Sequence, residues 1–106
     1  MRSSRSPETD ILPGECIDEF MAGRLKLIQS KDGYRFSIDA VMLAEFVTTR
    51  AEDVVLDIGT GCGVIPLILL HKGNLKHAIG LEIQKELAFQ AARNAFLNGF
   101  GDKMAR

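Results

Sequence analysis

The sequence predicts an α/β domain in which a β-hairpin precedes an open parallel sheet wound like a Rossmann fold. Segments 54–57 and 77–82 are short apolar runs of strand length, which is typical of parallel strands buried on both faces. Segments 64–71 and 84–97 follow these strands and carry helical patterns. A strand–helix–strand unit of this length is a right-handed parallel crossover, which predicts an open α/β sheet.

The residues before this unit predict a tail, a hairpin and a helix. Residues 1–14 are rich in serine, proline and charge, and we expect a flexible tail. Segment 25–29 alternates as a strand does, a turn follows at residues 31–33, and residues 34–36 form the return strand. Ser37 can cap a helix that begins at Ile38. Residues 16–21 lack a clean period, and the chain stops where a third parallel strand should begin.

The composition limits the class of protein. The chain has 106 residues, of which 46% are hydrophobic, so it can form a core. Its net charge of −1 gives no bulk attraction for nucleic acid. The longest apolar stretch, 64–70, is too short to span a membrane, and the two cysteines form no metal-binding or redox motif. We therefore expect a soluble, cytoplasmic protein that binds neither metal nor membrane.

The segment from Asp57 to Gly63 carries the most chemical information, because it joins a predicted strand to a predicted helix. Its glycines, Gly59, Gly61 and Gly63, permit a tight turn and let the backbone approach a ligand closely, and Thr60 lies between the first two. The start of the following helix offers backbone N–H groups and a positive dipole end, which suit an anionic group such as a carboxylate. We expect main-chain amides of this loop to lie beneath the ligand.

Acidic residues stand at the carboxyl ends of both predicted strands. Asp57 can hold an ammonium group, and Glu82 can accept hydrogen bonds from both hydroxyls of a ribose. Ile83 is placed to lie against an adenine. S-adenosylmethionine carries all of these groups. A dinucleotide is the alternative ligand, but its fingerprint has a third glycine where this sequence has Val64, and Asp57 would repel a pyrophosphate.

The glycine segment together with residues 81–84 resembles the class I S-adenosylmethionine-dependent methyltransferases. The further segments 25–29, 33–40, 92–94 and 97–99 resemble the bacterial adenine-N6 methyltransferases that modify valine tRNA. This resemblance implies a Rossmann-like class I methyltransferase fold, a role in tRNA processing, and an RNA partner for the full-length enzyme. It also implies that Phe36 and Asp39 border the methionine end of the cofactor. A core aromatic and a first-turn helix acid are equally good interpretations of these two residues.

The catalytic motif of that family, Asn-Pro-Pro-Tyr, does not occur in this sequence. We therefore assign no catalytic residue, and we expect residues 15–106 to form the N-terminal, cofactor-binding part of a truncated methyltransferase domain. Three alternatives remain open. The full enzyme could methylate rRNA or a protein glutamine, the chain could be a non-catalytic fragment, or it could belong to a dinucleotide-dependent oxidoreductase.

Overall fold

A computed structural model describes residues 11–32 and 38–105 of the chain, with the side chain of Ala105 excepted. Its elements follow one another along the chain as β1 (Glu15–Phe20), β2 (Leu25–Ser30), α1 (Ile38–Phe46), β3 (Val54–Ile58), α2 (Val64–Lys72), β4 (His77–Leu81), α3 (Lys85–Leu97) and β5 (Met104–Ala105). The predicted helices and the two predicted parallel strands are confirmed to within a few residues.

The hairpin pairs β2 with the strand that precedes it. β1 and β2 are antiparallel, in a register that sets Phe20 opposite Leu25. The sequence did not predict β1, because its side chains are almost all half-buried and show no alternation. The predicted return strand at residues 34–36 lies outside the described residues. Residues 1–10 of the predicted tail also lie outside the described residues. At the end of that predicted tail, the Gly14 carbonyl accepts a hydrogen bond from the Lys31 amide at 2.8 Å, so Gly14 is attached to the hairpin.

A buried ion pair fixes the hairpin to α3. The Arg93 guanidinium lies 2.7 Å from the Glu15 carboxylate, and the two side chains are only 1% and 8% exposed. Gln90 also donates to Glu15, at 3.1 Å. Burial raises the pKa of Glu15, but the hydrogen bonds from Arg93, from the Leu12 amide and from Gln90 outweigh it, so the net pKa lies below the ordinary value of 4.5. The ionised carboxylate is therefore the form that the fold stabilises.

The second sheet is parallel, with strand order β3-β4-β5 among the described residues. β4 pairs with β3 on one side and with β5 on the other, where Ala78 lies opposite Met104. The sequence analysis expected a third parallel strand to begin where the chain stops, and the pairing of Met104 and Ala105 with β4 confirms that position. Two residues are too few to give a strand signal in the sequence.

Helix α2 forms the centre of the core. Five of its apolar side chains are at most 5% exposed, namely those of Val64, Leu67, Ile68, Leu69 and Leu70. A helix that is apolar on all sides is stable only when it is surrounded. In this chain α1, α3, β2 and the parallel sheet all contact α2.

One face of the parallel sheet is bare among the described residues. Val54, Leu56 and Ile58 project from this face and are 54%, 54% and 78% exposed, while Val55 and Asp57, on the opposite face, are half-buried. The prediction that β3 is buried on both faces was therefore wrong. The physical reason is the strand order: two right-handed crossovers that step in the same direction place α2 and α3 on the same face of the sheet.

Candidate functional site

The candidate site lies where the carboxyl ends of β3 and β4 meet. The parallel register places Asp57 beside Gly80 and Ile58 beside Leu81, so the loop at residues 59–63 begins next to the end of β4. The amides of Gly59 and Thr60 both donate to the Leu81 carbonyl, at 2.8 and 2.9 Å. The loop is therefore attached to the tip of the neighbouring strand before it enters α2.

The three glycines of the loop serve different purposes. All have positive φ, at 75° for Gly59, 60° for Gly61 and 91° for Gly63. A Cβ atom on Gly59 would meet nothing within 4 Å, so the backbone is open there to an approaching group. A Cβ on Gly63 would lie 3.0 Å from Met104 Cε and 3.2 Å from Ala91 Cβ. Gly59 thus provides access, whereas Gly63 allows the loop to pack closely against α3 and β5.

Glu82 joins the loop to the start of α3. Its Oε1 accepts a hydrogen bond from the Gly61 amide at 2.8 Å, and its Oε2 accepts one from the Gln84 amide at 3.0 Å. These two bonds fix the plane of the carboxylate. Each carboxylate oxygen has a second lone pair, so two acceptor positions remain for a ligand with two hydroxyls.

These bonds modify the expectation that the loop amides lie ready for the ligand. The amides of Gly59 and Thr60 donate to Leu81, the Gly61 amide donates to Glu82, and the Gly63 amide donates to the Thr60 carbonyl at 3.0 Å. A ligand carboxylate would have to displace one of these acceptors to use any of the four. The loop's internal bonds could not be inferred from glycine spacing, because spacing does not show where each N–H points.

Asp57 has an unsatisfied oxygen. Its Oδ2 is buried and has no hydrogen-bond partner among the described residues. Buried carboxylate oxygens are normally paired, because an unpaired one loses its hydration without compensation. A bound group that donates hydrogen bonds, such as an ammonium, would remove this cost.

Thr60 and Gly80 form a contact that the sequence analysis missed. Thr60 is 4% exposed, and a Cβ on Gly80 would lie 2.8 Å from its Cγ2. The Thr60 side chain therefore packs down onto the sheet, and its buried Oγ1 also has no partner among the described residues. A glycine inside a strand is the signal that could have revealed this close approach.

The other predicted site residues differ in their position. Ile83 follows Glu82 and is 95% exposed, so its side chain is available to a flat ring. Asp39 lies in the first turn of α1 and is exposed. Phe36 lies outside the described residues. The structure therefore groups Asp57, the glycine loop, Glu82 and Ile83 at one edge.

Within residues 11–32 and 38–105, no group of three or more histidine, cysteine or acidic side chains is arranged to hold a metal ion. No helix in the same part of the chain is long and apolar enough to cross a membrane.

Several solved structures are similar to this chain. A proposed tRNA (m1A22) methyltransferase from Streptococcus pneumoniae is 27% identical with a TM-score of 0.57, over 67% of this chain and 31% of that one. A proposed transferase from Pyrococcus horikoshii is 19% identical with a TM-score of 0.72, over 87% and 35%. A SAM-dependent methyltransferase from Thiobacillus denitrificans, solved with S-adenosyl-L-homocysteine, is 20% identical with a TM-score of 0.56, over 66% and 28%.

No protein-family model and no curated protein matches the chain. The chain spans about a third of the length of the solved structures it matches. Over that part it has the same Rossmann-like α/β fold as these structures, as predicted.

Proposed function

We propose that the chain is the S-adenosylmethionine-binding part of a methyltransferase that acts on RNA, with N6 of a tRNA adenine as the target. The unpartnered Oδ2 of Asp57 carries the proposal, because it requires a hydrogen-bond donor at the edge where a class I methyltransferase fold forms its ligand crevice. Two observations support RNA as the substrate. The sequence pattern resembles that of tRNA methyltransferases, and one similar solved structure is a proposed tRNA methyltransferase.

The residues present fit this cofactor. Asp57 would hold the ammonium of the methionine moiety, and the two remaining acceptor positions of Glu82 would receive the ribose hydroxyls. Ile83 would lie against the adenine, and the open backbone at Gly59 would admit the amino-acid end. When bound, the cofactor supplies a methyl group on a positively charged sulfur. The residues of this region would bind the cofactor and fix its orientation, and a fixed orientation of the reacting groups is one of the ways in which an enzyme promotes methyl transfer.

Titration calorimetry with S-adenosyl-L-homocysteine tests the proposal. We expect saturable binding by the whole chain and a loss of about tenfold in affinity for Glu82→Gln, because the change removes a charged acceptor while keeping the shape. Glu86→Gln is the matched control, since Glu86 is an exposed acid in the first turn of α3. We expect this control to bind with unchanged affinity. Binding of NADH without binding of S-adenosyl-L-homocysteine would refute the proposal in favour of an oxidoreductase.

The substrate is tested separately. We propose that these 106 residues bind the cofactor without transferring methyl groups, because they lack the Asn-Pro-Pro-Tyr motif of the resembled family. Methyl transfer by the purified chain to tRNA, rRNA or a protein glutamine would contradict that part of the proposal and would identify the substrate. A cytoplasmic location belongs to the same proposal.

A further inference from the structure

We propose that Asn94 is a positioning residue for the cofactor loop, which it holds by connecting the hairpin to the Cys62 carbonyl. This inference rests on the proposed function, because its consequence is a change in cofactor affinity. It extends that function to a buried residue on α3 that is not among the proposed ligand-binding residues.

The carboxamide of Asn94 is fully buried and uses both of its ends. Its Oδ1 accepts a hydrogen bond from the Ile28 amide at 2.6 Å. Its Nδ2 donates to the Ile28 carbonyl at 3.1 Å and to the Cys62 carbonyl at 2.9 Å. One side chain on α3 therefore connects the hairpin strand β2 with the glycine loop.

Asn98 provides an internal comparison. Its Oδ1 accepts from the Lys26 amide at 2.8 Å, and its Nδ2 donates to the Lys26 carbonyl and to the Asn94 carbonyl, both at 2.7 Å. Four residues of helix rise about 6 Å and two residues of strand rise about 6.7 Å, so the two asparagines match alternate residues of β2. Both make the same pair of strand bonds, and Asn94 bonds in addition to the loop.

The Cys62 carbonyl belongs to the peptide that leads into Gly63. On one side of this peptide the Gly61 amide donates to Glu82, and on the other Gly63 packs against Ala91 at close range. Ala91 and Asn94 lie three residues apart on α3, so one helix face supports both the backbone and the carbonyl of the loop. The amide of the same peptide donates to the Thr60 carbonyl, so the Asn94 bond adds a second restraint on the peptide plane. Without it the plane is held less firmly, and the geometry of the neighbouring Gly61–Glu82 contact is less well fixed.

The test compares Asn94→Asp with Asn98→Asp. Each change keeps the acceptor for the β2 amide and replaces two donated bonds by a carboxylate oxygen that faces two carbonyls. We expect both variants to lose thermal stability. We expect the dissociation constant for S-adenosyl-L-homocysteine, measured below the melting temperature of each variant, to rise about tenfold for Asn94→Asp and less than about twofold for Asn98→Asp.

A role confined to stability would leave the affinity of both folded variants equal to that of the wild type, and this result would overturn the inference. If Asn94→Asp does not fold, the side-chain NH₂ resonances of the wild type, observed by NMR, test the inference instead. Addition of S-adenosyl-L-homocysteine should shift the Asn94 signal and leave the Asn98 signal in place; equal shifts, or none, would refute the coupling. A wild type that fails to bind S-adenosyl-L-homocysteine refutes the proposed function itself, and the inference with it.

Discussion

Replacing Gly63 by alanine tests whether close packing, rather than loop flexibility, is what this glycine provides. Gly63 has φ 91°, and an added Cβ would lie 3.0 Å from Met104 Cε, 3.2 Å from Ala91 Cβ and 3.4 Å from Ala91 Cα. The last of these contacts is with backbone, which cannot move without displacing α3. Gly59→Ala is the matched control, because Gly59 has φ 75° and open space around it.

The magnitude follows from two contributions. Holding an alanine in the left-handed region costs roughly 1–2 kcal/mol, and this cost applies to both variants. Forcing an extra methyl group into a packed interior costs roughly 1–3 kcal/mol, and this cost applies only to Gly63→Ala. Alanine also restricts the unfolded chain, but equally at the two sites. We therefore expect Gly63→Ala to lose about 1–3 kcal/mol more free energy of unfolding than Gly59→Ala.

Urea denaturation measures the difference in free energy of unfolding between the two variants. Their midpoints can be compared if the free energy falls with urea concentration at the same slope in both. In thermal melts the Gly63 variant should melt at least about 4 °C below the Gly59 variant. Equal losses of stability in the two variants would show that Ala91 and Met104 yield without cost, and the argument from close packing would fail.

Three further predictions concern other parts of the fold. The free energy of unfolding should fall as the pH drops below about 4.5 and passes through the lowered pKa of Glu15. Urea titrations at several pH values should show a shallower acid slope for Glu15→Gln than for the wild type. The same variant should lose about 3–5 kcal/mol of free energy of unfolding at neutral pH, because it removes the carboxylate beside the buried Arg93. Ala22→Gly should raise the free energy of unfolding by up to about 1 kcal/mol, because Ala22 has φ 57° in the hairpin turn; a loss of stability would contradict the idea that this turn is strained. Ile58→Ser should change the free energy of unfolding by less than about 1 kcal/mol, because the side chain is 78% exposed. It should also reduce self-association measured by sedimentation, because it removes an exposed apolar group. A large destabilisation would mean that this face of the sheet is covered.

The parallel part of the fold was predictable because its signals are local. The apolar runs of β3 and β4, the glycine loop between β3 and α2, and the asparagine–glycine end of α3 each depend on residues that are adjacent in sequence. The positions of Asp57 and Glu82 followed from the rule that parallel strands bring their carboxyl ends to one edge.

The hairpin and its attachment were not predictable in the same way. The face that α3 turns toward the hairpin carries Gln90, Arg93 and Asn94, which are at most 3% exposed, so an apolar pattern does not reveal it. These side chains are buried because their partners are on β1 and β2, sixty or more residues earlier in the chain. Only the three-dimensional pairing satisfies their polar groups, and no local pattern in the sequence carries that information.

The same polar face explains how the site can be precise at an edge that is otherwise open. Val54, Leu56 and Ile58 leave one side of the sheet bare in the described chain, and Ile83 is almost wholly exposed, so apolar walls contribute little to holding a ligand there. The groups that remain are a carboxylate fixed by two backbone amides at Glu82, an unsatisfied oxygen at Asp57, and a loop braced from behind by α3. Hydrogen bonds to charged groups depend strongly on geometry. The affinity of this region for its ligand should therefore depend more on the bracing of the loop than on the area that the ligand buries.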